Sequence, residues 1–405
     1  MSNPQKKNVP ELRFPGFEGE WEEKKLGDTL EFIKDGTHGT HENVNNGPWL
    51  LSAKNIKNNK IIISSDDRKI SESDYKKIYK NYKLEKGDLL LTIVGTIGRA
   101  AIVKNPNNIA FQRSVAILKT KATYDVEFIF QLFQTKYFKN LLLRKQVVSA
   151  QPGLYLGDIR KIKISITNII EEQRKIGTFF RKIDRQIELE EQKLELLQQQ
   201  KKGYMQKIFS QELRFKDENG NDYPEWVVKL IGDIGKVAMN KRIYKHETSA
   251  NEEIPFYKIG NFGKKADTFI SREQFNEYKE KYPYPKKGDI LISASGSIGK
   301  TIEYKGEEAY YQDSNIVWLD HNEEVLNVFL KYFYILVKWN GVEGTTIKRL
   351  YNKNILNTKI DLPTISEQQK IGDFFGYIDN LIEIHERKLE FLKQRKQSLL
   401  QKMFV

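Results

Sequence analysis

Three small groups in this chain have residue types and spacing suited to chemistry. Gly299-Lys300-Thr301 has the ending of the phosphate loop G-x-x-x-x-G-K-[ST], in which backbone N–H groups and a lysine hold a phosphate chain. The first glycine of that pattern falls on Ala294, and a strand rather than a helix is expected to follow, so nucleotide binding by this loop is set aside. Asp289 with Glu303 and Lys305 has the acidic pair and lysine of some metal-dependent nucleases, but Ile102 stands where Glu303 would recur in the first half of the chain. His38 and His41, in DGTHGTHEN, have no third metal ligand in view. There is no glycine-rich cofactor loop in strand–helix context and no nucleophile elbow. With no cysteine, thiolate metal sites are excluded, and only five histidines argue against a multi-histidine site.

What remains is polar chemistry suited to reading bases and phosphates. Arginine pairs with guanine edges and glutamine or asparagine with adenine. Such residues cluster at matching places in two halves of the chain: Lys54, Asn55, Thr96, Arg99, Gln112, Arg113, Ser114 and Gln151 in the first, and Lys258, Asn261, Ser297, Lys300, Gln312, Ser314, Thr346 and Lys348 in the second. Each taken alone is equally readable as an ordinary surface polar residue. The net charge of +13 lies mostly outside the helical blocks described next and favours a polyanion partner. The alternative is a lysine-rich, merely solvated surface. No apolar run reaches membrane-spanning length and no signal sequence is read, so a cytoplasmic protein is expected.

The elements that would position these residues occur twice. EQRKIGTFFRKIDRQIELEEQKLELLQQQKKGYMQKIF, residues 172–209, aligns without a gap to EQQKIGDFFGYIDNLIEIHERKLEFLKQRKQSLLQKMF, residues 367–404, with 21 of 38 positions identical. Apolar residues recur at alternating steps of four and three, the pattern of a coiled-coil seam. The seam runs through Ile176, Phe180, Ile183, Ile187, Glu190, Leu194, Leu197, Lys201, Tyr204 and Ile208, and through Ile371, Phe375, Ile378, Ile382, His385, Leu389, Leu392, Lys396, Leu399 and Met403. Polar residues interrupt both copies at the same steps, which suits mutual packing and sets Glu190 opposite His385. A second apolar stripe, Phe179, Leu189 and Leu196 with Phe374, Ile384 and Phe391, faces either the preceding lobe or a partner.

Each block follows a lobe opening on ELRF (Glu11–Phe14, Glu212–Phe215) and carrying KGDLLLTIVGTIGRA or KGDILISASGSIGKT. Short strands are expected at 49–52, 61–64, 88–94, 100–103, 114–119 and 159–166, with a helix over 125–148. The second lobe should have strands at 256–259, 289–294, 301–304, 315–319 and 360–362, and a helix over 324–339. The Gly95–Gly98 and Gly296–Gly299 segments should make tight hairpin reversals, where glycine supplies positive φ. The class is therefore α+β: residues 1–168 a first lobe, 169–210 a helical spacer, 211–364 a second lobe, and 365–405 a second spacer. The two helices should pair as an antiparallel coiled coil with pseudo-twofold symmetry.

This duplicated order of ELRF, G-D-[LI]-L…G-[TS]-I-G and EQ-x-K-I-G-x-F-F…I-D resembles the specificity subunits of type I restriction-modification systems, over nearly the whole chain. The resemblance implies two target-recognition domains that read an asymmetric, bipartite double-stranded DNA site, with the helices as a spacer. At 1.5 Å per residue and 3.4 Å per base pair, a gap of roughly 45–60 Å corresponds to about 13–17 base pairs. It further implies two methyltransferase subunits and two restriction (motor-nuclease) subunits as partners. S-adenosylmethionine, ATP and magnesium would be used by those partners, and the chain itself would hold no cofactor and catalyse nothing. An enzyme in its own right and a DNA scaffold without sequence preference are the alternatives. The first lacks a duplicated acid–base constellation, and the second is separable by competition with nonspecific DNA.

Overall fold

In a computed structural model of the chain, residues 8–146, 153–339 and 349–405 are described. The chain forms two compact units, Met1–Gln192 with Arg387–Val405, and Lys193–Glu386. Each unit thus takes one lobe, the first part of the helix following it, and the last part of the other long helix.

In unit 1 the elements are β1 Glu22–Lys25, β2 Leu30–Asp35, β3 Trp49–Leu51, β4 Ile56–Lys57, β5 Lys60–Ile61, α1 Glu72–Ile78, β6 Leu89–Thr92, β7 Ala100–Ile102, β8 Ile109–Phe111, β9 Val115–Thr120, α2 Val126–Gln134, α3 Lys136–Lys145, α4 Leu156–Arg160, β10 Lys163–Ile166 and the start of α5 Ile170–Phe209. The main sheet is antiparallel, ordered β2-β9-β6-β7, while β3 pairs in parallel with β8 and β1 with β10 antiparallel. Unit 2 repeats this with β11 Val227–Leu230, α6 Ile231–Ile234, β12 Gly235–Ala238, β13 Ile254–Tyr257, β14 Phe269–Ile270, α7 Arg272–Lys281, β15 Ile290–Ser293, β16 Thr301–Glu303, β17 Tyr310–Tyr311, β18 Ile316–His321, α8 Asn327–Leu336, α9 Asn352–Leu356, β19 Lys359–Leu362 and α10 Ile365–Met403. Its main sheet is β12-β18-β15-β16, with β13 parallel to β17 and β11 antiparallel to β19.

Local chemistry sets these elements. In both Lys-Gly-Asp motifs the aspartate closes the turn before an apolar strand: Asp88 accepts from the Glu85 N–H at 2.9 Å and Asp289 from the Lys286 N–H at 2.7 Å. The helix expected over 125–148 is two helices. Thr135 adopts extended backbone, and its hydroxyl accepts from the Phe138 N–H at 3.1 Å, so it ends α2 and caps α3. The strand expected at 159–166 is shortened, because Ile159 and Arg160 belong to α4, whose Arg160 backbone packs against Gly27. The glycine segments connect hairpin strands through longer loops, residues 93–99 and 294–300. In the first, the Gly98 N–H bonds back to the Thr92 carbonyl at 2.9 Å, and in the second the Gly299 N–H bonds to the Ser293 carbonyl at 2.9 Å. All four glycines have φ between +64° and +85°.

The repeated helix motif is explained by what its residues hold. Glu172 is fully buried and takes a two-pronged ion pair from Arg13 of ELRF, at 2.6 and 2.8 Å. Glu367 does the same with Arg214, at 3.2 and 2.7 Å, and also accepts from the Trp226 indole at 3.0 Å. These hydrogen bonds to carboxylate hold the Arg13 and Arg214 guanidinium groups above the ordinary arginine value. The next residue, Gln173, accepts from the Asp125 N–H at 2.9 Å and donates to the Thr167 carbonyl at 2.7 Å, while Gln368 accepts from the Leu326 N–H at 2.8 Å. Each glutamine thus fastens the start of a lobe helix to the long helix.

The seam is antiparallel within each unit. In unit 1, Phe180 meets Phe404, Asp184 takes Lys396 at 2.6 Å and Glu190 takes Lys388 at 2.9 Å, so one number rises as the other falls. In unit 2, Asp379 takes Lys201 at 2.5 Å, and Tyr204 packs on Phe374. The lysines that interrupt the pattern are therefore paired: Asp184 also accepts from Gln131, and Asp379 from Tyr332. Ile176, Phe180, Ile183, Ile371, Phe375, Ile378 and Leu392 are buried, as are Glu190 and His385, and Ile187, Leu194, Leu197, Ile382 and Leu389 are half-buried. Beyond the lysines the buried stripe shifts by one residue. Met205 and Leu400 enter the cores, while Tyr204 is 39% exposed. Leu400, Met403 and Phe404 complete the core of unit 1, and Met205 and Ile208 that of unit 2.

Two predictions test this joint. Glu172→Gln leaves a mostly buried arginine without its counter-charge, and should lower unfolding stability by about 3 kcal/mol in denaturant titration; a loss below about 1 kcal/mol contradicts the clamp. A Cβ on Gly177 would lie 2.6 Å from Asp125 Oδ1 and 2.9 Å from the Phe128 nitrogen, whereas one on Gly203 meets nothing within 4 Å. Gly177→Ala should therefore destabilise by about 1–3 kcal/mol, and Gly203→Ala should stabilise by about 0.5–1 kcal/mol; the same sign for both contradicts the close approach.

Candidate nucleic-acid interface

Several segments of unit 1 converge on one end of its lobe. The Gln112 N–H donates to the Leu51 carbonyl at 2.8 Å, and the Ala53 N–H donates to the Ser114 hydroxyl at 3.0 Å. The Ile93 N–H donates to the Ser114 carbonyl at 2.9 Å, and the Arg113 N–H to Thr37 at 3.1 Å. Arg99 reaches the Ile56 carbonyl at 3.4 Å. The glycine loop, the β3–β4 loop and the β8–β9 connection are thus one hydrogen-bonded surface. The Leu154 N–H joins it by donating to the Ile93 carbonyl at 2.9 Å.

Unit 2 builds the same surface with different side chains. The Gln312 N–H donates to Tyr257 at 2.8 Å, and its side-chain oxygen accepts from the Ile259 N–H at 3.2 Å. Ser295 donates to Asn315 at 2.7 Å, Lys300 to the Phe262 carbonyl at 2.6 Å, and Arg349 to the Ser314 carbonyl at 3.4 Å. Where unit 1 has exposed Arg113, unit 2 has Asp313, held by Arg242 at 2.9 Å.

Of the residues expected to read DNA, Lys54, Thr96, Arg99, Arg113, Ser297 and Lys300 are exposed on these surfaces, and Gln112, Ser114, Lys258, Gln312 and Ser314 are half-buried in them. Gln151, Thr346 and Lys348 lie outside the described residues. Asn55 and Asn261 are not available to a ligand. Asn55 is buried, accepts from the Ser52 N–H at 3.0 Å and donates to Asp67 at 2.6 Å; Asn261 accepts from the Lys258 N–H at 2.7 Å and donates to Asp267 at 2.8 Å. They are paired loop-builders. Burial works to raise the Asp67 carboxyl, but Lys54, the Ser64 N–H and Asn55 outweigh it and hold it below the usual range. The Thr268 hydroxyl, with Lys258 and Asn261, lowers Asp267 likewise. Lys54 is raised by its bond to Asp67.

Sequence reasoning missed two contributors. Asn58 and Asn59 both have positive φ and turn the β4–β5 hairpin, a signal legible in IKNNKI. Arg242 sits in the basic-aromatic run KRIYKHE, where exposed Tyr244 stacks on His246 with centroids 5.9 Å apart. Asp289 bonds a turn and Asn327, Glu303 pairs with Lys331, and His41 contacts Thr37 at 2.9 Å. Among the described residues no group of three or more His, Asp or Glu is placed to hold a metal, and no helix is long and apolar enough to cross a membrane.

Comparison with known proteins agrees with this duplicated design. The family described as type I restriction modification DNA specificity domain matches residues 18–199 and again 223–394. A putative type I restriction enzyme specificity subunit from Haemophilus influenzae is 55% identical over 152 residues, 37% of this chain and 40% of that relative. The chain thus aligns to less than half the length of that relative. The putative MjaX specificity subunit of Methanocaldococcus jannaschii is 23% identical over 94% of this chain and 92% of its own. In fold, the S subunit of a type I restriction-modification system from M. genitalium matches with a TM-score of 0.63 at 16% identity, covering 98% of this chain and 99% of that one. With both lobes and both helices accounted for, the chain belongs to the type I restriction-modification DNA specificity domain family, whose domain it carries twice.

Proposed function

We propose that this chain is the sequence-reading subunit of a type I restriction-modification complex, and that each lobe reads one half of an asymmetric, bipartite duplex site. The observation that carries the reading is the matched surface with unmatched chemistry. The β8–β9 connection offers Gln112, Arg113 and Ser114, and the corresponding β17–β18 connection offers Gln312, Asp313 and Ser314. The Arg113 guanidinium has no side-chain partner among the described residues, so its donors are free for a guanine edge or a phosphate. Asp313 is spent on Arg242, which brings a different set of donors to the same place. Equal frames with unequal donors suit two half-sites of different sequence.

In this reading Lys54, Thr96, Arg99, Lys258, Ser297 and Lys300 approach phosphates and groove edges beside these connections, and the length of the shared helices sets the unread gap. The chain positions partner enzymes rather than catalysing a reaction. Adenine methylation with S-adenosylmethionine falls to two methyltransferase subunits, and ATP- and magnesium-dependent translocation and cleavage to two restriction subunits. Exposed apolar residues on the long helices support such docking: Leu189 and Phe391 in unit 1 are 48% and 61% exposed, and Leu196 and Ile384 in unit 2 are 54% and 49% exposed. Phe179 and Phe374 of that stripe instead pack on Phe14 and Phe215 of the ELRF segments.

Replacing residues 16–166 with the corresponding lobe of another family member should change one half of the recognised sequence and leave the other half and the spacer unaltered. Changes in both halves contradict separate reading. Arg113→Ala should weaken binding to the cognate duplex by roughly 1–3 kcal/mol and relax preference at one base pair, measured by competition against mixed-sequence DNA. Uniform weakening across all sequences assigns Arg113 to phosphate instead, and no change removes it from the interface.

A further inference from the structure

Unit 1 holds an open cavity of about 580 Å³ between the glycine loop, the β4–β5 turn and α3. Its walls are chemically divided. Ile97, Leu142 and Leu143 give an apolar side, while Lys57, Arg99 and Lys139 bring three cations, and among the described residues no aspartate or glutamate lines it. At its α2 side stands Gln134, 6% exposed, whose amide Nε2 has no hydrogen-bond partner among the described residues. A buried donor left unmet costs about 1–3 kcal/mol, so a ligand bringing an acceptor there gains that interaction without breaking another. In unit 2 a tryptophan stands against the corresponding glycine. The Trp339 indole nitrogen lies 2.7 Å from where a Cβ on Gly299 would stand, and the Trp339 ring packs 5.8 Å from Tyr334.

We propose that this cavity is a nucleotide site: a base lies against Ile97, Leu142 and Leu143 with an acceptor on its edge to the Gln134 amide, and its phosphate meets Arg99, Lys57 and Lys139 at the mouth. Only a ligand that is flat and apolar on its faces, an acceptor on its edge and anionic at one end meets all three demands. A bare anion leaves the apolar wall and Gln134 unused. Two sources carry this chemistry: an unstacked nucleotide presented by DNA, and a free nucleotide. Leu143 is 59% exposed, so a larger side chain there narrows the cavity without entering the core.

The test titrates the full chain with dAMP, dCMP, deoxyribose 5-phosphate and inorganic phosphate by calorimetry, and with duplexes carrying 2-aminopurine by fluorescence. At least one mononucleotide should saturate, with deoxyribose 5-phosphate and phosphate at least tenfold weaker. Leu143→Trp should lower nucleotide affinity at least tenfold with an unchanged thermal midpoint, and Gln134→Leu should lower it severalfold. A 2-aminopurine signal that rises on binding and vanishes in Leu143→Trp assigns the site to DNA; mononucleotide binding without that signal assigns it to a free nucleotide. Equal affinity for phosphate and nucleotide, undiminished binding by Leu143→Trp, or neither mononucleotide saturation nor a 2-aminopurine signal overturns the proposal. In that last case, sequence-preferring DNA binding that persists leaves the DNA-reading function standing.

Discussion

A buried carboxylate joined to an arginine from the far end of its lobe is the interaction on which this fold turns. Glu172 and Glu367 are fully buried, and taking such a charge out of water is costly unless it is met in good geometry. Arg13 and Arg214 meet it with paired donors. That requirement ties the opening ELRF segment, the lobe and the start of the long helix into one body. The adjacent glutamines extend the joint to α2 and α8, and Gly177 and Gly372 allow the backbones to close on it. A lobe so joined to its helix cannot swing freely.

The second constraint is a pair of seam lysines, Lys396 buried and Lys201 half-buried. Lys396 is 5% exposed, yet it sits in a stripe otherwise built of leucine, isoleucine and phenylalanine. Its ammonium is met by Asp184, which Gln131 also holds, and Lys201 is met by Asp379 with Tyr332. Polar pairs at fixed seam positions penalise a slipped register, because a shift by one turn strands a buried charge.

Much of this was legible in the residues. The duplicated blocks announced paired helices, the alternating steps gave the seam, and the Lys-Gly-Asp and glycine-loop motifs located the central hairpin of each lobe. The rest was hidden for physical reasons. Two-residue strands such as Lys60–Ile61 have no room to show alternation. Thr135 splits a continuous apolar stripe because a hydroxyl that can cap a helix leaves no mark on hydrophobic spacing. Asn55 and Asn261 looked like base readers because an exposed amide and a buried, fully bonded one have the same letter. The partners of Glu172 and Glu367 lie 159 and 153 residues away, and pairing at that distance is invisible to local pattern.

The central claim is that this chain decides which DNA sequence its complex modifies. Mapping methylated adenines across the genome of the host, with and without this gene, tests it most directly. The account predicts that one bipartite motif, two unlike half-sites around a fixed unread gap, loses its methylation when the gene is removed and regains it when the gene returns. An unchanged set of methylated motifs, with the partner methyltransferase present and active, would contradict it.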